Sequence, residues 1–143
     1  MTPAEQRLAT HTASDIDEVR GWAALAARAA DAKKGTDTVV LEVGPVLAIT
    51  DAFVITSAGN PRLVRTIAEE VELRVKSGDG PPPLRIEGLD DARWVLIDYG
   101  DFIVHVFLEE ARTYYDLERL WADADRLDWE SLAPEGSSGP GGI

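Results

Sequence analysis

The sequence predicts an α/β (α+β) domain, a mixed β-sheet of about five strands flanked by helices. Two patterns predict it. Short runs rich in Val, Ile, Phe and Trp recur between Gly, Pro and Asp residues, the pattern of strands and their turns. Stretches with apolar residues three and four apart alternate with those runs, so helices are available to cover a sheet that cannot bury its own faces. At 143 residues the chain is one domain's worth, enough for one sizeable core.

Residues 1–13 have no periodicity and read as a loose arm; a single domain is expected over 14–130 and a flexible tail over 131–143. Ser14 with Asp17 three residues on resembles a capping box. It would open an Ala-rich helix running to Lys34, with Lys33 and Lys34 at the negative end of the dipole and Gly35 as the stop. Gly21 places the firm part of this helix after it. Residues 37–43 (DTVVLEV) are a strand ended by Gly44-Pro45, and 48–57 hold a second, most secure over 53–56. Asn60-Pro61 starts a helix, with Asn as the cap and Pro where a missing N–H costs nothing. Val64, Ile67, Ala68, Val71 and Val75 mark its inner face, and Gly78 ends it. A stiff connection, 79–83 (DGPPP), leads to a short strand at 84–87.

The rest of the chain is organised around residues 93–121. Two apolar runs flank Gly100-Asp101, which reads as a β-hairpin with a tight primed turn. With those two residues in the turn, Tyr99 faces Phe102 and the pairs continue as 98/103, 97/104, 96/105, 95/106 and 94/107. Alternation then separates two faces. Val95, Ile97, Tyr99, Phe102, Val104 and Val106 form a core face; Trp94, Leu96, Asp98, Ile103, His105 and Phe107 form a mixed one. The mixed face is a candidate working surface, because Trp is amphipathic and frequent at interface hot spots. The alternative is that both faces are covered and His105 is a satisfied core histidine.

Residues 109–121 have helical spacing, with Ala111, Tyr114, Leu117, Leu120 and Trp121 on the packing side and Glu110, Asp116, Glu118 and Arg119 mostly outside. The helix is expected to persist to about Trp129. Between 109 and 130 eight acids stand against three arginines, a net of −5.

Fourteen basic against twenty-six acidic residues give a net charge of −12, which opposes loose binding to phosphate backbones and favours a basic protein partner. There is no cysteine, and the only histidines are His11 and His105. Thiolate chemistry is therefore excluded and a His-rich metal site is not expected. No apolar run approaches the roughly 20 residues of a membrane helix, and the N-terminus has no basic-then-apolar leader pattern. A cytoplasmic protein without membrane or direct DNA contact is expected. Ser57-Ala58-Gly59-Asn60 precedes a helix but lacks the glycine spacing and Lys of a phosphate loop. Asp98 and Asp101 read as turn acids, and Asp15-x-Asp17 and Asp123-x-Asp125 are not paired on strands as two-metal chemistry needs. No catalytic residue, cofactor or metal is assigned.

Several motifs in order carry a family resemblance. These are TDTVVLEV from Thr36, ITDAFVI from Ile49, WVLIDYGD from Trp94 and IVHVF from Ile103, followed by Arg112-x-Tyr114-Tyr115-x-Leu117-Glu118-x-Leu120-Trp121. Over about residues 22–122 the chain resembles the ribosomal silencing factor (Iojap-like) family. That resemblance implies a nucleotidyltransferase-like fold without catalysis. It also implies binding to protein fourteen of the large ribosomal subunit, hindered joining of the small subunit, a part in subunit maturation, and a homodimer. The partner-binding residues it implies, with the mixed face, are Trp94, Leu96, Asp98, Asp101, His105, Glu109, Arg112 and Tyr115. The rival reading is a nucleotidyltransferase-type enzyme on the same fold.

Overall fold

The computed structural model describes residues 13–132, with side chains from Ile16 onward; the expected arm and nearly all of the expected tail lie outside them. The elements are α1 (Ala13–Ala32), β1 (Thr36–Glu42), β2 (Ala52–Ala58), α2 (Pro61–Ser77), β3 (Arg85–Glu87), β4 (Trp94–Asp98), β5 (Phe102–Leu108), α3 (Glu109–Tyr115), α4 (Leu117–Leu120) and β6 (Asp125–Leu127). The described strands form one six-stranded sheet in the order β3-β4-β5-β2-β1-β6. Only β2 and β5 run parallel; the other neighbours are antiparallel. A parallel pair needs a long crossover, and α2, β3 and β4 supply it. The chain is thus α+β with a mixed sheet, as the sequence predicts, and has one strand more.

Central β2 is buried along its whole length, which explains an apolar run without alternation. One face of the sheet packs on α1 and α2 through Val40, Val54, Val95, Ile97, Phe102, Val104 and Val106. Ala23, Ala24, Ala26, Ala27, Ala29 and Ala30 are all buried on α1, so that helix approaches its neighbours closely. On α2 the five predicted inner residues are buried, and Asn60 Oδ1 accepts from the Leu63 N–H at 2.8 Å. The opposite face carries a smaller cluster of Leu41, Val43, Phe53, Ile55, Phe107 and Ala111.

Three local expectations are corrected. α1 is already helical at Ala13, ahead of Ser14, and runs unbroken through Gly21; the Ser14 side chain lies outside the described ones. At its other end Lys34, not Gly35, takes the left-handed conformation (φ 68°). The Lys34 N–H donates to Asp31 O (3.0 Å) and the Gly35 N–H to Ala30 O (2.8 Å), the paired bonds of a Schellman stop. Gly35 is needed instead for space, since a Cβ there would collide with Thr56 Oγ1.

The second correction is that the helix over 109–129 does not exist as one element. Asp116 is left-handed (φ 50°, ψ 53°) and separates α3 from α4; Leu120, beyond the break, is turned into solvent, and Tyr114, within α3, is also exposed instead of on the packing side.

Third, 125–127 is a strand on β1, where Val40 pairs with Leu127 and Glu42 with Asp125. The open edge of β1 offered unpaired backbone groups, and pairing satisfies them. Beyond it Trp129 is buried, with its Nε1–H donating to Thr38 O at 3.0 Å. Arg28 Nη2 donates to the carbonyls of Glu130 and Leu132 (2.9 and 2.6 Å). Leu132, inside the expected tail, packs against the main core.

Candidate partner-binding face

The hairpin of β4 and β5 has the predicted register throughout, from Trp94 opposite Phe107 to Asp98 opposite Ile103. The Tyr99 N–H donates to Phe102 O at 3.0 Å, and Gly100 has φ 88°. Positive φ at the first turn residue alone is the pattern of a type II′ turn. Asp98 reinforces it, its Oδ1 accepting from the Gly100 N–H at 2.8 Å while Oδ2 lies 3.4 Å from Arg85 Nε. The Asp101 carbonyl accepts from the Asp51 N–H at 2.8 Å, joining the hairpin turn to the start of β2. The core face is buried at all six predicted positions.

The mixed face is half covered, with Trp94, Leu96, Asp98 and Ile103 half-buried and His105 and Phe107 buried. The Trp94 indole packs on Phe107 and Tyr115 (ring centroids 4.9 and 4.6 Å). Its Nε1–H donates to His105 Nδ1 at 3.0 Å. An indole nitrogen only donates, so His105 Nδ1 is the acceptor and the ring's proton is on Nε2. Burial pushes the His105 pKa down to about 3, because the cation would be desolvated. His105 also meets the Phe53 ring at 4.7 Å in a T-shaped contact. It is 4 % exposed, so it supports Trp94 from beneath the face. Among the described residues His105 Nε2 has no hydrogen-bond partner.

At the far end of β5, α3 begins directly after Leu108. Glu109 is exposed, with Oε2 accepting from Thr36 Oγ1 at 3.3 Å. Tyr115 is 43 % exposed beside Trp94. Arg112 instead points inward, bonded to Glu118, Ser57 and the backbone of Thr36 and Asp37. The structure thus gathers Trp94, Tyr115 and Glu109 at one end of the hairpin. Asp98 and Asp101 lie at the other, Leu96 lies between, and His105 and Arg112 are inside.

Two exposed residues were not among the candidates. Tyr114 is 78 % and Leu120 70 % exposed, and with Tyr115, Asp116 and Arg119 they line a shallow groove. Helical periodicity points both inward; Tyr114 instead lies on the solvent side of α3, and the break at Asp116 carries Leu120 off the packing side. A cavity of about 780 Å³ is lined by residues of α1, by Gly78 and Asp79 just after α2, and by Leu127 and Leu132, none of which belongs to this face. Among the described residues no cluster of three or more His, Cys, Asp or Glu could hold a metal, and no helix is long and apolar enough to cross a membrane.

Fold and face define a class, a small α+β domain with two long helices on one side of a mixed sheet and an aromatic, acid-rimmed pair of short helices on the other. A family profile described as "Ribosomal silencing factor during starvation" matches residues 16–140. The chain belongs to that family. It is 41% identical over 108 residues to the ribosomal silencing factor of Halalkalibacterium halodurans, covering 76% of this chain and 92% of that one. It is 38% identical over 104 residues to that of Bacillus subtilis, covering 73% and 87%. A crystal structure of a Bacillus halodurans protein superposes with a TM-score of 0.63 at 38% identity, covering 73% of this chain and 93% of that one.

Proposed function

We propose that this protein is a non-catalytic, cytoplasmic translational repressor. In this reading it binds the large ribosomal subunit through protein fourteen and hinders joining of the small subunit. The observation that carries the docking half is the groove lined by exposed Tyr114, Tyr115 and Leu120, joined to half-buried Trp94 through the Tyr115 ring. Large apolar side chains gathered on a surface otherwise rich in charge mark an interaction site. A net charge of −12 suits a basic ribosomal protein. The identity of that protein, and a homodimer, rest on the family resemblance.

On this reading Trp94, Tyr115 and Leu96 are the apolar contacts. Glu109, Asp98 and Asp101 lie along the rim, and His105 and Arg112 support the face from within. Co-sedimentation with purified large subunits tests it. The wild-type chain binds, and Trp94→Ala binds at least about thirty-fold more weakly, as expected of a hot-spot aromatic. Glu109→Ala gives a smaller loss that shrinks with added salt. Failure of the wild-type chain to co-sediment at any salt overturns the reading. So does micromolar nucleotide binding with divalent metal that Asp98→Asn or Asp101→Asn abolishes, which would establish the enzyme instead.

A further inference from the structure

The guanidinium of Arg112 is saturated within its own chain. Nε and Nη2 grip the two oxygens of Glu118 at 3.0 and 3.1 Å. Nη1 donates to Thr36 O (2.9 Å) and Ser57 Oγ (3.0 Å), and Nη2 also donates to Asp37 O (2.7 Å). A guanidinium has five N–H donors, so these bonds leave none for a partner. The side chain is only 11% exposed. Its acceptors come from the start of β1, the end of β2 and the first turn of α4.

α3 and α4 rest on the smaller cluster through Ala111, Leu117 and Trp121, and these ties add to that packing because both helices are short. They contain seven and four residues, far below the roughly 12–15 at which a helix sustains itself in water. Neither N-terminus has a side-chain cap; Ala111 is the one buried residue of α3, and α4 has none. Asp37 and Asp116, both non-glycine residues at positive φ (49° and 50°), stand at the two ends of the network. Such conformations persist only where the surroundings over-determine them. Arg112 holds the Asp37 carbonyl directly, and through Glu118 it bridges the break at Asp116.

We infer that Arg112 is a positioning residue: a latch, with Glu118, that sets the angle between α3 and α4 and so arranges Tyr114, Tyr115 and Leu120 in the groove joined to Trp94. This rests on the docking function proposed for that face. It assigns Arg112 no contact with the partner. Lysine cannot replace it, because one ammonium with three donors cannot reproduce the planar fork.

The test uses the full chain as wild type, Arg112→Lys and Glu118→Gln, with hydrogen exchange and binding to large subunits measured on each. Amides of α3 and α4 lose protection by about tenfold or more in Arg112→Lys, while those of β2 and β5 keep theirs. Binding weakens to the extent that the latched fraction falls, since only that fraction is competent to bind. Glu118→Gln shows the same pattern with smaller losses. Unchanged protection and binding in Arg112→Lys overturns the latch. Weaker binding with unchanged protection also overturns it, by making Arg112 a direct contact. If Arg112→Lys unfolds throughout, Glu118→Gln decides, and its retention of full α3–α4 protection refutes the latch. If the wild-type chain fails to bind, the docking function falls, while the exchange comparison still decides the latch.

Discussion

Acidification should expose His105. In the folded chain its pKa is about 3 because burial excludes the imidazolium, and in the unfolded chain it returns to about 6.5. Between those values the unfolded state binds a proton that the native state refuses. The contribution of His105 to stability is therefore complete above the unfolded pKa and declines as pH falls below it, by up to about 1.4 kcal/mol per pH unit. From pH 7.5 to pH 5.0 the loss comes to about 2 kcal/mol, a large part of the roughly 5–15 kcal/mol that holds a domain together. The structure supplies a second reason for the sign. A protonated Nδ1 would point a donor at the donor of Trp94 Nε1, 3.0 Å away, so charging the ring also breaks that bond.

The chain carries twenty-six carboxylates, so the slope is read as a difference between two variants. Urea unfolding of wild type and His105→Asn at pH 7.5, 6.5, 5.5 and 5.0 isolates it. Asn keeps an acceptor near the position of Nδ1 and does not titrate. His105→Asn starts out less stable, and the gap to wild type closes by about 2 kcal/mol toward pH 5.0. A gap that stays constant across the series refutes the assignment of His105 as a buried neutral acceptor.

Other residues give independent checks. Tyr99 is buried under α2 with its hydroxyl unpartnered among the described residues, and burial followed by the Glu72 charge raises its pKa. Tyr99→Phe should therefore be neutral or stabilising by about 1 kcal/mol in urea unfolding; a loss of that size would reveal a partner for the hydroxyl. Asn60→Ala removes the α2 cap at Leu63 and should cost about 1 kcal/mol, seen as a lower urea midpoint with unchanged slope. Trp129→Phe keeps an aromatic ring, though a smaller one, and removes the donor to the Thr38 carbonyl. It should cost about 1–3 kcal/mol and raise exchange at β6 before β2; uniform exchange would show that β6 opens only with the whole fold.

Local chemistry settled much of this protein before any tertiary contact was known. The hairpin register follows from one glycine, because a two-residue turn leaves a single pairing and a single division of faces. The bounds of α2 follow from Asn60-Pro61 and Gly78, and its buried face from spacing alone. The ordered motifs around Trp94 and Tyr115 identified the family that the comparisons then showed.

What tertiary structure alone decided lies where the determining partner is far along the chain. The spacing of 117–127 suits a helix; the open edge of β1 about 85 residues earlier drew 125–127 into a strand. Spacing equally puts Tyr114 and Leu120 inside; α3 instead sets Tyr114 toward solvent, and the break at Asp116, bridged by Arg112 and Glu118, turns Leu120 out. The sequence left His105 open between working surface and core. The Trp94 indole, Phe53 and Phe107 close over it. The family resemblance implies Arg112 as a partner-binding residue, yet carbonyls of residues 36 and 37 take its donors. Turns and caps act within about four residues and can be read along the chain. Edge pairing, burial and guanidinium contacts depend on groups that only folding brings together, because each is stabilised by a partner absent from its own segment.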